Sequence, residues 1–199
     1  MKNKIVLFVM MIGHAAVAQE GALEQYFQVQ NKEAVYMMPI VHYQSKKNWY
    51  TEVRYNYEDQ ETLSVYAGKV FSRIKKVTYS VAPILGIVTG KFKGGSMGFN
   101  LNIEYKKLFV ASQSQYTFSM KDKTANFLYS WSEVGYDIAS WIYLGAAVQY
   151  TQLYQIRHAQ VESGVVVGLS MGSWTFPLYS FSPMSDNRYF LLGINRKLE

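Results

Sequence analysis

Apolar and polar residues take turns along most of this chain. From residue 20 onward no stretch sustains a 3.6-residue period, and period two recurs instead. Trp49 to Glu58 is the clearest case. Trp49, Thr51, Val53, Tyr55 and Tyr57 fall on one face, and Tyr50, Glu52, Arg54, Asn56 and Glu58 on the other. Met97 to Lys106 repeats the pattern, with Met97, Phe99, Leu101, Ile103 and Tyr105 opposed to Gly98, Asn100, Asn102, Glu104 and Lys106. Val77–Ile87 and Ile142–Thr151 alternate in the same way. Successive side chains of a strand point to opposite faces, so each segment reads as a two-faced β-strand.

Two architectures produce such segments. In an exported soluble sandwich the apolar face meets a second sheet. In a membrane barrel it meets lipid, and the polar face lines the lumen. Three features favour the barrel. The segments run about ten residues, enough for a tilted strand to cross a bilayer. Aromatics collect near segment ends, at Trp49, Tyr55, Tyr57, Tyr105, Tyr116, Phe118, Phe127, Tyr129, Trp141, Tyr150, Trp174 and Tyr189, as interfacial girdles would. Gly86, Gly98, Gly145, Gly164 and Gly168 recur on the inward faces, as a narrow curved wall requires.

Strands are predicted at 22–30, 35–45, 49–58, 62–72, 77–89, 97–106, 108–119, 127–137, 141–151, 160–170, 173–182 and 188–198. The fold class is therefore all-β, a transmembrane antiparallel up-and-down barrel of about twelve strands, with ten as the alternative count. Short connections (45–48, 73–76, 107, 138–140, 172) alternate with longer ones (89–96, 120–126, 152–159, 183–187). This assigns the short turns and both termini to the periplasmic side. Gly94-Gly95 reads as a turn. Pro39 and Pro83 fall inside strands and mark bulges or strand ends, because each lacks a ladder donor. Glu133 shares a face with Phe127, Tyr129 and Trp131, so a bulge or a rim position is expected there.

The first eighteen residues, MKNKIVLFVMMIGHAAVA, have the form of a cleavable export signal. Lys2 and Lys4 open it, Ile5–Ile12 is apolar, and Ala16-Val17-Ala18 is a small-x-small site before Gln19. The apolar run is too short for a membrane-spanning helix. Residues 19–199 are then expected to form the single barrel domain. Removing the signal also lowers the formal charge from +6 by two lysines. There are no cysteines, which excludes disulfides and thiolate chemistry. Charged residues at 17% with 17 tyrosines exclude a disordered chain. No Lys/Arg block points to nucleic acid.

WYTEVRYNYE (49–58) followed by TLSVYAGKVF (62–71) resembles small outer-membrane β-barrel proteins predicted in Bacteroidota, where a similar tyrosine-rich strand and YNYE turn precede a glycine-bearing strand. The architecture is also similar to the small monomeric twelve-stranded porins for acidic oligosaccharides. The resemblance implies location and fold, and carries no functional residues. The chain ends on Leu198-Glu199 where many barrels carry Phe.

The candidate lumen-lining residues are Glu52, Arg54, Asn56, Asn100, Asn102, Glu104, Lys106, Gln113, Gln115, Gln149 and Glu162. They carry both signs of charge, so Glu52/Arg54 and Glu104/Lys106 are expected as internal ion pairs if the lumen is closed. No one-sided arginine ladder for anions is present. The first functional expectation is a narrow passive pore or a structural membrane component. The second is a closed barrel that binds a ligand or partner through its outer loops. The third is a lipid hydrolase using His42 or His158, but neither histidine has an evident serine partner. No catalytic residue, metal site or cofactor is assigned, since two separated histidines specify no ligand set. The expected partners are outer-membrane lipid, small polar solutes and the barrel-assembly machinery.

Overall fold

A computed structural model of the chain describes residues 18–30, 34–156 and 158–198. The expected export signal lies outside the described residues except for Ala18, which opens the first strand. The strands are β1 (Ala18–Gln30), β2 (Tyr36–Ser45), β3 (Trp49–Tyr55), β4 (Thr62–Lys69), β5 (Phe71–Arg73), β6 (Thr78–Gly90), β7 (Gly94–Tyr105), β8 (Leu108–Ser119), β9 (Phe127–Ala139), β10 (Ile142–Leu153), β11 (Gln160–Met171), β12 (Trp174–Phe181) and β13 (Tyr189–Leu198). Each pairs antiparallel with its neighbour, β1 pairs with β13, and β4 pairs with β6, so the sheet closes on itself.

The segments β4 and β5 are one stave of this wall, which makes a twelve-stranded barrel. Gly68 faces Ile84 and Phe71 faces Val81, so the register is unchanged across the gap. The break at Lys69–Val70 falls opposite Pro83, which has no amide hydrogen to offer. The Val70 N–H instead donates to the Asn48 carbonyl at 2.8 Å. Pro39 acts similarly. The β2–β3 ladder stops at the Ile40–Arg54 pair, one residue short of Pro39.

The two ends of the barrel differ. At one end the connections after β2, β5, β7, β9 and β11 are short, and the start of β1 and the end of β13 lie there. Positive-φ residues Asn48 (62°), Lys106 (56°) and Gly172 (59°) shape three of these turns. The other end carries the remaining connections. The expected long connection at 89–96 shrinks to Lys91–Lys93, because Gly94 and Gly95 are strand rather than turn.

The outer wall is apolar. Leu85 and Ile87, each 68% exposed, and Val65, Phe99, Leu144, Val148, Val165, Leu178 and Phe190 all point outward. Four outward serines sit among them on β8 and β9. Ser112 pairs with Ser132 at 2.9 Å and Ser114 with Ser130 at 2.7 Å, so hydroxyls facing lipid satisfy one another. At the turn end, cations cover girdle aromatics. Lys69 lies over Trp49 at 5.6 Å, Lys106 over Tyr105 at 5.4 Å, Lys107 over Tyr136 at 5.9 Å, and Arg196 over Trp174 at 5.1 Å. Trp141 is exposed at the same end, while Tyr55, Tyr116 and Phe118 are exposed towards the loop end.

Four of the expected girdle residues are inside instead. Phe127 and Tyr189 are buried, and Tyr57 and Tyr129 meet edge to face at 5.7 Å in the interior. No bulge forms at Glu133. It pairs regularly with Ala111 and Ala147, and its face of β9, with Tyr129 and Trp131, is the inward one. The glycines on the inward faces do more than permit curvature. A side chain at Gly86 would enter the ring of Tyr66, and one at Gly168 would enter the ring of Tyr143, so each glycine seats an aromatic ring across the strand pair.

The alternation sets the cost of a charge on the outer wall. Val148→Arg, outward near the middle of β10, should destabilise the barrel by about 2–4 kcal/mol, and Met171→Arg, at the end of β11, by about 0–1 kcal/mol. Urea unfolding of the barrel in lipid vesicles measures both.

Candidate functional site

A membrane barrel places its polar residues inside, where water is scarce, so each buried charge needs a partner. The alternation of β3 turns Glu52 and Arg54 inward, and both are buried. Asn56 then takes a left-handed backbone, φ 59°. Its amide side chain donates to the Met37 carbonyl at 3.0 Å and accepts from the Glu61 N–H at 2.8 Å. This locked turn breaks the alternation, and Tyr57 and Glu58 fold back into the barrel.

Arg54 is the centre of the resulting cluster. Its Nε donates to Glu52, and its Nη1 donates to Gln115 at 2.6 Å and to Glu58 at 3.5 Å. The guanidinium lies 4.6 Å from the Tyr57 ring centre and 4.3 Å from that of Tyr66. Both rings present their negative faces to the cation. Glu58 also accepts from Ser64 and from the Tyr66 hydroxyl at 2.7 Å. Tyr57 reaches across to Gln113 at 2.6 Å, and Gln113 donates to Asn100 at 3.0 Å.

A second cluster fills the opposite side. Trp131 packs edge to face on Tyr179 at 5.0 Å and on Phe181 at 5.3 Å, and Phe181 stacks on Tyr189 at 5.1 Å. One pattern joins the two sides. Glu24 accepts from Tyr26 at 3.0 Å, Glu52 from Tyr50, Glu58 from Tyr66, Glu133 from Tyr179 at 2.7 Å, and Glu162 from Tyr189 at 3.0 Å. A hydroxyl bond to a carboxylate is charge-assisted and among the stronger hydrogen bonds.

Between the clusters lies a cavity of about 480 Å³. Its lining runs from Gln28 and Tyr36 near the loop end to Asn102, Tyr143 and Asn195 near the turn end. Glu24, Glu52 and Glu133 are its carboxylates and His42 its only basic side chain, among the described residues.

The candidate residues sort as follows. Glu52, Asn100, Asn102, Gln113 and Gln149 line the cavity. Arg54 and Gln115 lie inside the barrel but off the cavity lining, in the Arg54 cluster. Glu162 is bonded to Tyr189 and Gln160 towards the loop end. Glu104 is exposed on the inward face of β7 near the turn end. Two do not belong inside. Asn56 is engaged in its turn, and Lys106 is exposed in the β7–β8 turn against Tyr105. Lys106 therefore forms no internal pair with Glu104, whereas Glu52 and Arg54 do pair. Sequence reasoning missed Glu24, Tyr57, Trp131 and Glu133 as interior groups, and it put Glu58 on the polar face of its segment without counting it among the lumen-lining residues. Glu24 was open to detection, because the even residues Glu24, Tyr26 and Gln28 of β1 alternate with Leu23, Gln25, Phe27 and Val29.

His42 faces the interior, with Nδ1 3.4 Å from Glu24 and its ring 5.9 Å from that of Tyr50. His158 is exposed beyond β10. Among the described residues no group of three or more His, Asp or Glu is arranged to hold a metal ion.

No protein-family model and no curated protein matches the chain. Solved structures do. The KdgM porin in complex with disordered oligogalacturonate aligns with a TM-score of 0.66 at 11% identity, over 89% of this chain and 99% of that one. The NanC porin aligns with a TM-score of 0.64 at 10% identity, over 89% of this chain and 100% of that one. At identity this low the structural likeness shows the fold alone: the closed twelve-stranded antiparallel barrel.

The Arg54 cluster defines a stability test. Arg54→Ala leaves Glu52 and Glu58 buried without their cation and should cost about 3–5 kcal/mol. Arg54→Met combined with Glu52→Met and Glu58→Met should recover most of that loss, because the uncompensated charges are gone. The urea midpoints of the refolded barrels report both outcomes.

Proposed function

We propose that the protein is a bacterial outer-membrane β-barrel that works as a narrow passive pore for small polar solutes. The observation that carries this reading is the cavity that runs along the barrel with polar, aromatic and a few aliphatic side chains in its lining, inside a wall whose exterior is apolar. The porin neighbours, of the same size and strand number, support it as analogues of fold. In this reading residues 1–18 direct export, the turn end faces the periplasm, and the loop end faces outward. The likeness of residues 49–71 to barrels of Bacteroidota fits the same location. Surrounding lipid and the barrel-assembly machinery are its partners, and it performs no catalysis.

The lumen supplies hydrogen-bond donors and acceptors on opposite walls. Asn100, Asn102 and Gln113 project from β7 and β8, while Gln28 and Asn195 project from β1 and β13. A hydrated solute exchanges part of its water shell for these groups and leaves again without a deep well, as conduction requires. Tyr57 narrows the path, since it crosses from the β3–β4 connection to Gln113.

That crossing favours a second reading. With Tyr57 and Glu58 inside, the barrel is closed at rest and binds through its outer loops.

Conductance of the refolded protein in a planar bilayer separates the two. Stable unitary steps are expected, and Tyr57→Ala should raise the unitary conductance. Protein shown to be folded and inserted, yet silent in both forms, supports the closed barrel instead.

A further inference from the structure

The charge inside the barrel has one dominant sign. Glu24, Glu52 and Glu133 line the cavity, whereas no lysine or arginine does among the described residues. Arg54 is fully buried inside the barrel, off the cavity lining, and is already committed to Glu52, Glu58 and Gln115. Glu104 and Glu162 add carboxylates on the inward faces towards the two ends. His42 lies against Glu24, and Lys197, on the inward register of β13, is exposed at the turn end. We infer that this lumen selects small cations over anions, which rests on the pore reading above.

The carboxylates suit that role because of how they are held. Tyrosine hydroxyls fix Glu24 and Glu133 in place without cancelling their charge, while Glu52 and Glu58 share the single cation of Arg54 and leave one net negative charge. The rings of Tyr57, Tyr129, Tyr143 and Trp131 also border the cavity. Aromatic faces attract cations and offer nothing to an anion. A polyanion such as the oligogalacturonate named with the KdgM structure meets no cationic ladder here.

The turn end opposes this preference. Lys46, Lys47, Lys106 and Lys107 surround it, whereas at the loop end Lys91, Lys93, Lys121 and Lys123 are offset by Asp59, Glu61, Asp122 and Asp186. These lysines are exposed, so salt screens them over about 10 Å at 0.1 M and about 3 Å at 1 M. The lumen carboxylates face a confined path in a low-dielectric wall, where their field is stronger and screening weaker. The constriction therefore sets the sign of the preference.

The test is the reversal potential of single pores under a potassium chloride gradient. The expected ratio of potassium to chloride permeability is about five or more, since several carboxylates act together on one ion. Glu24→Gln with Glu133→Gln should bring the ratio towards one while unitary steps persist. Asn102→Lys, on the cavity wall away from the aromatic cluster, should lower it further and guards against a folding failure of the double variant. Wild-type pores that prefer chloride, or a ratio that neither variant moves, would overturn the inference and leave the pore reading intact. Silence from inserted protein overturns both.

Discussion

The bond between a tyrosine hydroxyl and a glutamate carboxylate organises the inside of this protein. A membrane barrel has its apolar surface outside, so hydrophobic burial cannot assemble its interior as it assembles a soluble core. The interior must be held by polar contacts that are each complete. Glu24, Glu52, Glu58, Glu133 and Glu162 solve this with the same partner type. Tyrosine suits the task because it donates one hydrogen bond and brings a broad apolar ring to fill space. The rings pack on one another while the hydroxyls hold the charges.

The wall is adjusted to these side chains. Tyr66 lies over Gly86 and Tyr143 over Gly168, and neither ring could approach if the facing residue carried a side chain. The β3–β4 connection turns inward to bring Glu58 to Arg54, Ser64 and Tyr66. Its left-handed residue, Asn56, is held by Met37 of the adjoining strand and by Glu61. The loop is thus part of the interior network. Removing the cation from that network leaves two buried carboxylates, which is why Arg54 carries more stability than any exposed pair on the surface.

The wall was legible in the sequence because lipid demands an apolar residue at every second position. The predicted segment 49–58 is β3 with its following turn, and 62–72 covers β4 and β5. The lumen was less legible, for two reasons. Aromatic residues serve both lipid and interior, so Tyr129 and Tyr189 read as a girdle although they fill the barrel. Single left-handed residues also shift the pattern locally: Asn56 sends Tyr57 inward, and Lys106 turns its own chain away from the lumen. Hydropathy alternation cannot register such changes, because it records how polar a residue is and not which way the backbone carries it.

This division explains how a shared fold survives at 11% identity to the KdgM porin. The ladder and the apolar exterior fix strand number and closure, and many sequences satisfy both. The inward positions are constrained only to satisfy one another. One set of complete contacts can be exchanged for another without disturbing the wall, so the sign and chemistry of the lumen are free to diverge. In this chain the exchange has settled on carboxylates held by tyrosines, with the fully buried Arg54 placed outside the cavity lining. The solute preference of such a barrel must therefore be derived from its own lumen, and the charge lining this one is negative.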